Sequence, residues 1–240
     1  MTIEVWAENL VGEVANEWRS LKGMYTFWES GFSVFYSPVY SNPDLMIIGY
    51  NPGGGKNAFN ESEAMRIPSD HEYFVENYRL ANMMKTIFGK IGKIDLLEKS
   101  VKCNLIFFRS TNKNEFMSIN EKTRKEMEAF CFKQIKEIIV RLNPKLIITE
   151  GMQTYDVLLK LLQEPPLEIH CLPEISKLGE NGRRAYCSGD CDIMKLIGVL
   201  HLSGARPRPT KYELDLITKA LGKDIEQIKE IEEARKYKGH

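Results

Sequence analysis

Apolar positions along this chain follow two rhythms. Between residues 4 and 22, Trp6, Leu10, Val11, Val14, Ala15, Trp18 and Leu21 recur every three or four positions, the period of one helix face. Short unbroken runs follow instead in "DLMIIG" (44–49), "SVKCNLIFFRS" (100–110), "NPKLIITEG" (143–151) and "IMKLIGVLHLS" (193–203). Runs of that length between turn residues read as strands buried on both faces. "FSVFYSPVY" (32–40) alternates like an edge strand and stops at Ser41-Asn42-Pro43. Further strands are expected at "LEIHCL" (167–172) and "RRAYCSGD" (183–190), the latter a hairpin with Ser188-Gly189-Asp190 at its turn.

Helical patterns lie between these runs. Ser69-Asp70 is placed to cap a helix through "HEYFVENYRLANMMKTIFGKI", and a charged helix spans about Asn120 to Leu142. "MQTYDVLLKLL" reads as a helix broken by Pro165-Pro166, and two helices close the chain, Lys211 to Leu221 and Asp224 to Tyr237. Strands alternating with helices imply an α/β fold, a three-layer α/β/α sandwich whose mostly parallel central sheet has about four strands. One domain over residues 1–240 is expected, with the N-terminal helix (4–22) and the last helix (224–237) as additions.

Open sheets of this kind bind ligands at the carboxyl ends of their strands. Three strand ends here carry unusual residues: Asn51 with its run of glycines, "FFRSTN" after Leu105-Ile106, and "HLSGARPRP" after Val199-Leu200. The glycine loop, "NPGGGKNAF", is not a Walker A loop, because Lys56 is followed by Asn57 rather than Ser or Thr. Nor do Gly49, Gly53, Gly54 and Gly55 give the spacing of a dinucleotide fingerprint. Pro52 also removes a backbone donor that a phosphate cradle would use.

The two outer loops together resemble the uracil-DNA glycosylase superfamily. Gly49-Tyr50-Asn51-Pro52-Gly53 looks like the loop after that family's first core strand, closest to the mismatch-specific branch, with Asn in place of Asp. His201-Leu202-Ser203-Gly204 looks like the loop after its last core strand, although Leu202 stands where Pro is usual. Between them, Asn104 in "VKCNLIFFRSTN" is similar to the strand asparagine that reads the base.

The resemblance implies a glycosylase that hydrolyses the N-glycosidic bond of uracil or a related damaged base. Its chemistry makes three demands. The flipped base must be read on its Watson–Crick edge, which falls to Asn104, with Tyr50 or Phe59 supplying a stacking ring. A polar group must hold the attacking water. Asn51 can do so, but a neutral amide positions water rather than deprotonating it. Charge developing on the base oxygen needs a donor, for which His201 is the candidate. Gly49, Pro52, Gly53, Ser203 and Gly204 would shape the two loop backbones.

Charge and cysteine content narrow the partners. Acidic and basic residues balance at 33 each, so DNA contact would need a local patch, for which Arg206, Arg208 and Lys211 in "ARPRPTK" are the candidates. Arg109, Arg183 and Arg184 are weaker ones. The apolar runs are too short to span a membrane, and an acidic N-terminus does not resemble a secretory signal. Five cysteines, an odd number, suggest a reducing, cytoplasmic setting rather than a disulfide framework.

No cofactor is expected. The iron–sulfur branches have an early C-x-x-C pair, whereas the first cysteine here is Cys103. Zinc at His170, Cys171, Cys187 and Cys191 would need an unusual spacing. No obligate protein partner is evident, since the C-terminal apolar seam is too short for a coiled coil. No lysine is placed for a lyase step, so the expected enzyme is monofunctional. Two other classes stay open: a protein that binds a nucleobase or nucleic acid without cutting it, and a nucleotide-binding enzyme using the glycine loop for phosphate.

Overall fold

The structure is a computed structural model, described for residues 1–53, 59–172, 175–192, 194–203 and 208–226. The apolar runs form β1 (Leu45–Gly49), β2 (Val101–Asn104), β3 (Leu146–Glu150) and β6 (Met194–Val199). They pair in parallel, and all residues of β1, β2, β3 and β6 are buried. Two further strands, β4 (Ile175–Leu178) and β5 (Arg184–Cys191), join antiparallel beyond β6. The sheet therefore has six strands in the order β2-β1-β3-β6-β5-β4 and is mixed, rather than about four and mostly parallel.

Strand side chains alternate between two apolar layers. Met46, Ile48, Val101, Cys103 and Ile147 pack under α1 (Ile3–Ser20), α7 (Glu121–Leu142) and α8 (Met152–Gln163). Leu45, Ile47, Leu146, Ile148 and Ile197 pack under α4 (Arg79–Lys90), α5 (Ile94–Glu98) and α9 (Lys211–Glu226). Each such buried aliphatic side chain contributes roughly 1.5–3 kcal/mol relative to exposure. The helix at 120–142 has the expected start, with the Asn120 side chain accepting from the Lys122 amide. Among the described residues no helix is long and apolar enough to cross a membrane.

Several local expectations are corrected. "FSVFYSPVY" is not a strand: it runs beside β2 with isolated bridges at Phe32 and Phe35, and Ser37 uses its side-chain oxygen to accept from the Lys102 amide at 2.8 Å. Pro38, with no N–H, follows directly. The helix expected from Ser69-Asp70 is two helices, a short α3 (Glu72–Val75) capped by His71, then α4. "LEIHCL" contributes only a bridge from Cys171 to Cys191. Ser188, Gly189 and Asp190 lie within β5 rather than at a turn. A single helix, α9, replaces the end of the first C-terminal helix and the beginning of the second; residues 227–240 lie outside the described residues. Cys171 and Cys191 form a disulfide, which also removes them as zinc ligands, while Cys103, Cys131 and Cys187 are free and buried.

Candidate active site

At the carboxyl ends of the parallel strands, β1 supplies Gly49, β2 supplies Asn104 and β3 supplies Glu150. All three follow the alternation that faces the α4 and α9 layer. Gly49 is opposite Asn104 in register, and its lack of a side chain is required. A Cβ there would lie 2.0 Å from Asn104 Oδ1 and 3.2 Å from Glu150 Oε2. The asparagine and the glutamate thus close over a bare strand, and both are buried.

Beyond Gly49 the chain stays tied to the segment after β2. The amides of Leu105, Ile106 and Ser110 donate to the carbonyls of Gly49, Tyr50 and Pro52, at 2.9, 2.9 and 3.2 Å. Arg109 Nε donates to the Gly53 carbonyl at 3.2 Å, so Arg109 holds this loop. Asn51 Nδ2 donates to Ser110 Oγ at 2.7 Å and to the Pro52 carbonyl at 3.3 Å. Both amide hydrogens are engaged, which leaves Oδ1 as the acceptor facing outward.

After β3, Gly151 adopts φ +111, a left-handed value that favours glycine, and opens α8. His201, following β6, lies beside it and hydrogen-bonds through Nδ1 to Ser203 Oγ at 2.8 Å. Burial, then the charge of Lys102, lowers the His201 pKa below its ordinary value. The ring is therefore neutral at pH 7.

Asn51, Asn104, Tyr50 and His201 line one cavity of about 820 Å³ together with Gly49, Pro52, Gly53 and Ser203. Lys113, at the start of α6 (Lys113–Met117), stands at the rim 5.4 Å over the Tyr50 ring and donates to Gln153. Phe59 does not line the cavity. Its ring packs against Trp18 and Phe32, at centroid distances of 5.2 and 5.6 Å, as a core residue. Leu202, at the departure from the family loop, is fully buried. Gly204 and Arg206 lie outside the described residues.

The cavity wall also holds charges that the sequence reading passed over. Lys102, two residues before Asn104 on β2, is 4% exposed. Its ammonium is 3.0 Å from Glu72 Oε1 and 4.0 Å from Glu150 Oε2, and 4.7 Å above the Tyr36 ring. The Tyr78 hydroxyl also donates to Glu72. Burial lowers the Lys102 pKa, against the opposing pull of Glu72, and burial raises that of Glu72 against Lys102. Glu150 is pushed well up by burial and then by Glu72. A lysine is therefore in the cavity after all. It lies deeper than Asn104, on the side of a base rather than of a sugar at the mouth. His71 is different in kind: its ring accepts from the Tyr73 amide and meets Ser100 Oγ, and burial holds its pKa at about 4.

No family model and no curated protein matches this chain. The site has to be read from its own chemistry.

The basic candidates divide. Arg208 and Lys211 are exposed beside the exposed Tyr212, at the start of α9 and away from the cavity lining. Arg183 instead makes two hydrogen bonds to the fully buried Glu213, at 2.6 and 2.5 Å, and Arg184 pairs with Asp156 at 2.5 Å. These two arginines are structural. Thr210, whose amide donates to Glu213 at 2.9 Å, completes the clamp that fixes α9 to the end of the β4–β5 connection. Among the described residues, no three His, Cys, Asp or Glu side chains are grouped to hold a metal ion.

Proposed function

We propose that the protein is a DNA glycosylase that hydrolyses the N-glycosidic bond of uracil or a related damaged base flipped into this cavity. The carrying observation is that Asn51, Asn104 and His201, from three separate strand ends, line one cavity at the carboxyl edge of the parallel strands. Asn104 takes the base edge at the floor. Asn51, with its amide hydrogens tied to Ser110 and Pro52, presents Oδ1 to orient a water toward the sugar carbon. The water oxygen bonds to that carbon as the bond to the base nitrogen breaks, and the electron pair leaves with the base. With Ser203 donating to Nδ1, His201 keeps its proton on Nε2 and offers it to the developing oxyanion. Arg208, Lys211 and Tyr212 supply charge and a stacking ring for the strand. Such a role belongs in the DNA-containing, cytoplasmic compartment.

A second reading is favoured by Asn51 itself: an amide has no useful proton affinity, so the same cavity would bind a base without cutting it. One assay separates them. Oligonucleotides carrying a single uracil are incubated with excess protein and treated with hot alkali. Strand cleavage that falls at least 100-fold (about 2.7 kcal/mol) in Asn51→Ala and in His201→Ala supports hydrolysis. Retention of the oligonucleotide with no cleavage over a day supports binding alone.

A further inference from the structure

Glu150 is the unexplained group of this cavity. It lines the wall at the end of β3, it is 4% exposed, and its Oε1 is buried without a hydrogen-bond partner. Buried polar atoms are nearly always paired, so an orphan oxygen in a cavity wall points to a ligand. Its surroundings determine what it can offer. Two carboxylates, Glu72 and Glu150, face one ammonium, and the lysine sits 3.0 Å from Glu72 but 4.0 Å from Glu150. Glu72 also receives the Tyr78 hydroxyl. The lysine charge is thus matched by Glu72, and a second buried negative charge beside it would go uncompensated.

The groups facing Glu150 from the neighbouring elements agree with this. Lys102 comes from β2, Glu72 from α3, Tyr78 from the start of α4 and the neutral His201 from the segment after β6. Burial and the Glu72 charge both hold Glu150 in its protonated form. The ammonium nearer Oε2 disfavours a proton on that oxygen, which leaves it on Oε1, the atom with no partner in the protein.

We propose that Glu150 is the specificity-determining hydrogen-bond donor of the cavity. It offers its acid proton to an oxo group of the bound base, so that the site takes 4-oxopyrimidines or 6-oxopurines and turns away their amino counterparts. The proposal rests on the nucleobase reading of the cavity and deepens it. An amino group brought to the same place sets donor against donor, and one of the two then stays buried without an acceptor. Asn104, across the bare Gly49, reads the adjoining ring nitrogen.

The test is binding of single-stranded oligonucleotides holding one 2′-fluoro-arabino uracil, the same position as cytosine, or an abasic analogue. The fluorine resists bond cleavage, so affinity is read alone, by fluorescence anisotropy at pH 7. Wild type is expected to prefer uracil over cytosine at least tenfold, and Glu150→Gln, which keeps a neutral donor, to retain that ratio. Glu150→Met, equal in length but without a donor, should lose about tenfold of it, with abasic binding unchanged. Replacing uracil by 4-thiouracil, a poorer acceptor, should weaken wild type severalfold and needs no mutant.

Three results overturn the assignment: Glu150→Met keeping the full ratio, Glu150→Gln losing as much as Glu150→Met, or 4-thiouracil binding wild type as well as uracil does. If Asn104→Ala still destroys base binding in those cases, only the role of Glu150 falls. Equal binding of all three oligonucleotides by wild type would overturn the nucleobase reading along with it.

Discussion

Gly49→Ala adds a single methyl group at the centre of the proposed site. That methyl would lie 2.0 Å from Asn104 Oδ1 and 3.2 Å from both Asn104 Cγ and Glu150 Oε2. The first distance is impossible for real atoms, so the Asn104 amide must turn away from the position in which it faces the cavity. Overpacking of this sort costs about 1–3 kcal/mol, equivalent to a Tm loss of roughly 2–12 °C in a chain of this size. The functional cost is larger, because a displacement of about 1 Å in a positioning group lowers a rate about 100-fold. Thermal denaturation and single-turnover excision of uracil would be measured for Gly49→Ala, Asn104→Ala and the double variant. Because the clash is with the asparagine, Gly49→Ala should cost much less stability when Asn104 is already Ala. Stability losses that simply add within about 0.5 kcal/mol would mean that the two residues do not touch, and would refute the geometry.

Two other expectations concern buried charge. Arg183→Ala leaves the fully buried Glu213 without its arginine and should destabilise by about 3–5 kcal/mol, whereas Glu213→Gln leaves a partly exposed arginine that water can reach and should cost less; urea denaturation giving the reverse order would refute the clamp. Glu150 supplies a pH dependence: it is protonated in the folded chain above the pH at which the unfolded chain ionises, so the unfolded state holds fewer protons and wild-type stability falls as pH rises through that window. Glu150→Gln has no such proton to lose and should gain on wild type by up to about 1.4 kcal/mol per pH unit there, with parallel curves from about pH 5 to pH 7.5 counting against a neutral Glu150.

The parallel strands were legible because each is buried on both faces and so appears as an unbroken apolar run. The antiparallel extension was not: "ISKL" in β4 mixes exposed and apolar positions within a polar stretch, and β5 carries Ser188, Gly189 and Asp190, which imitate a turn. The aromatic alternation of "FSVFY" reflects cover over β2, with a side chain in place of a ladder hydrogen bond. Of the site, the two loops were visible because Asn51 and His201 follow strands in small-residue turns. Glu150 was not, since an acid before Gly151 looks like an ordinary strand end. Lys102 did leave a signal. It alternates with Val101 and Cys103, so its side chain had to share the face of Asn104.

Register is what makes these scattered residues a site. Val101 and Cys103 belong to the apolar layer beneath α1 and α7, while Lys102 and Asn104 point to the other face. A slip of β2 by one residue against β1 would carry both polar side chains into that apolar layer and bring two apolar ones to the cavity. Four buried apolar neighbours on β1 and β3, together with the absent side chain at Gly49, exclude the slip. The same packing that stabilises the sheet thus places the asparagine and the glutamate on either side of one glycine. Neither residue can be moved to another strand position without losing the pairing, so the proposed base-reading wall and the sheet register stand or fail together.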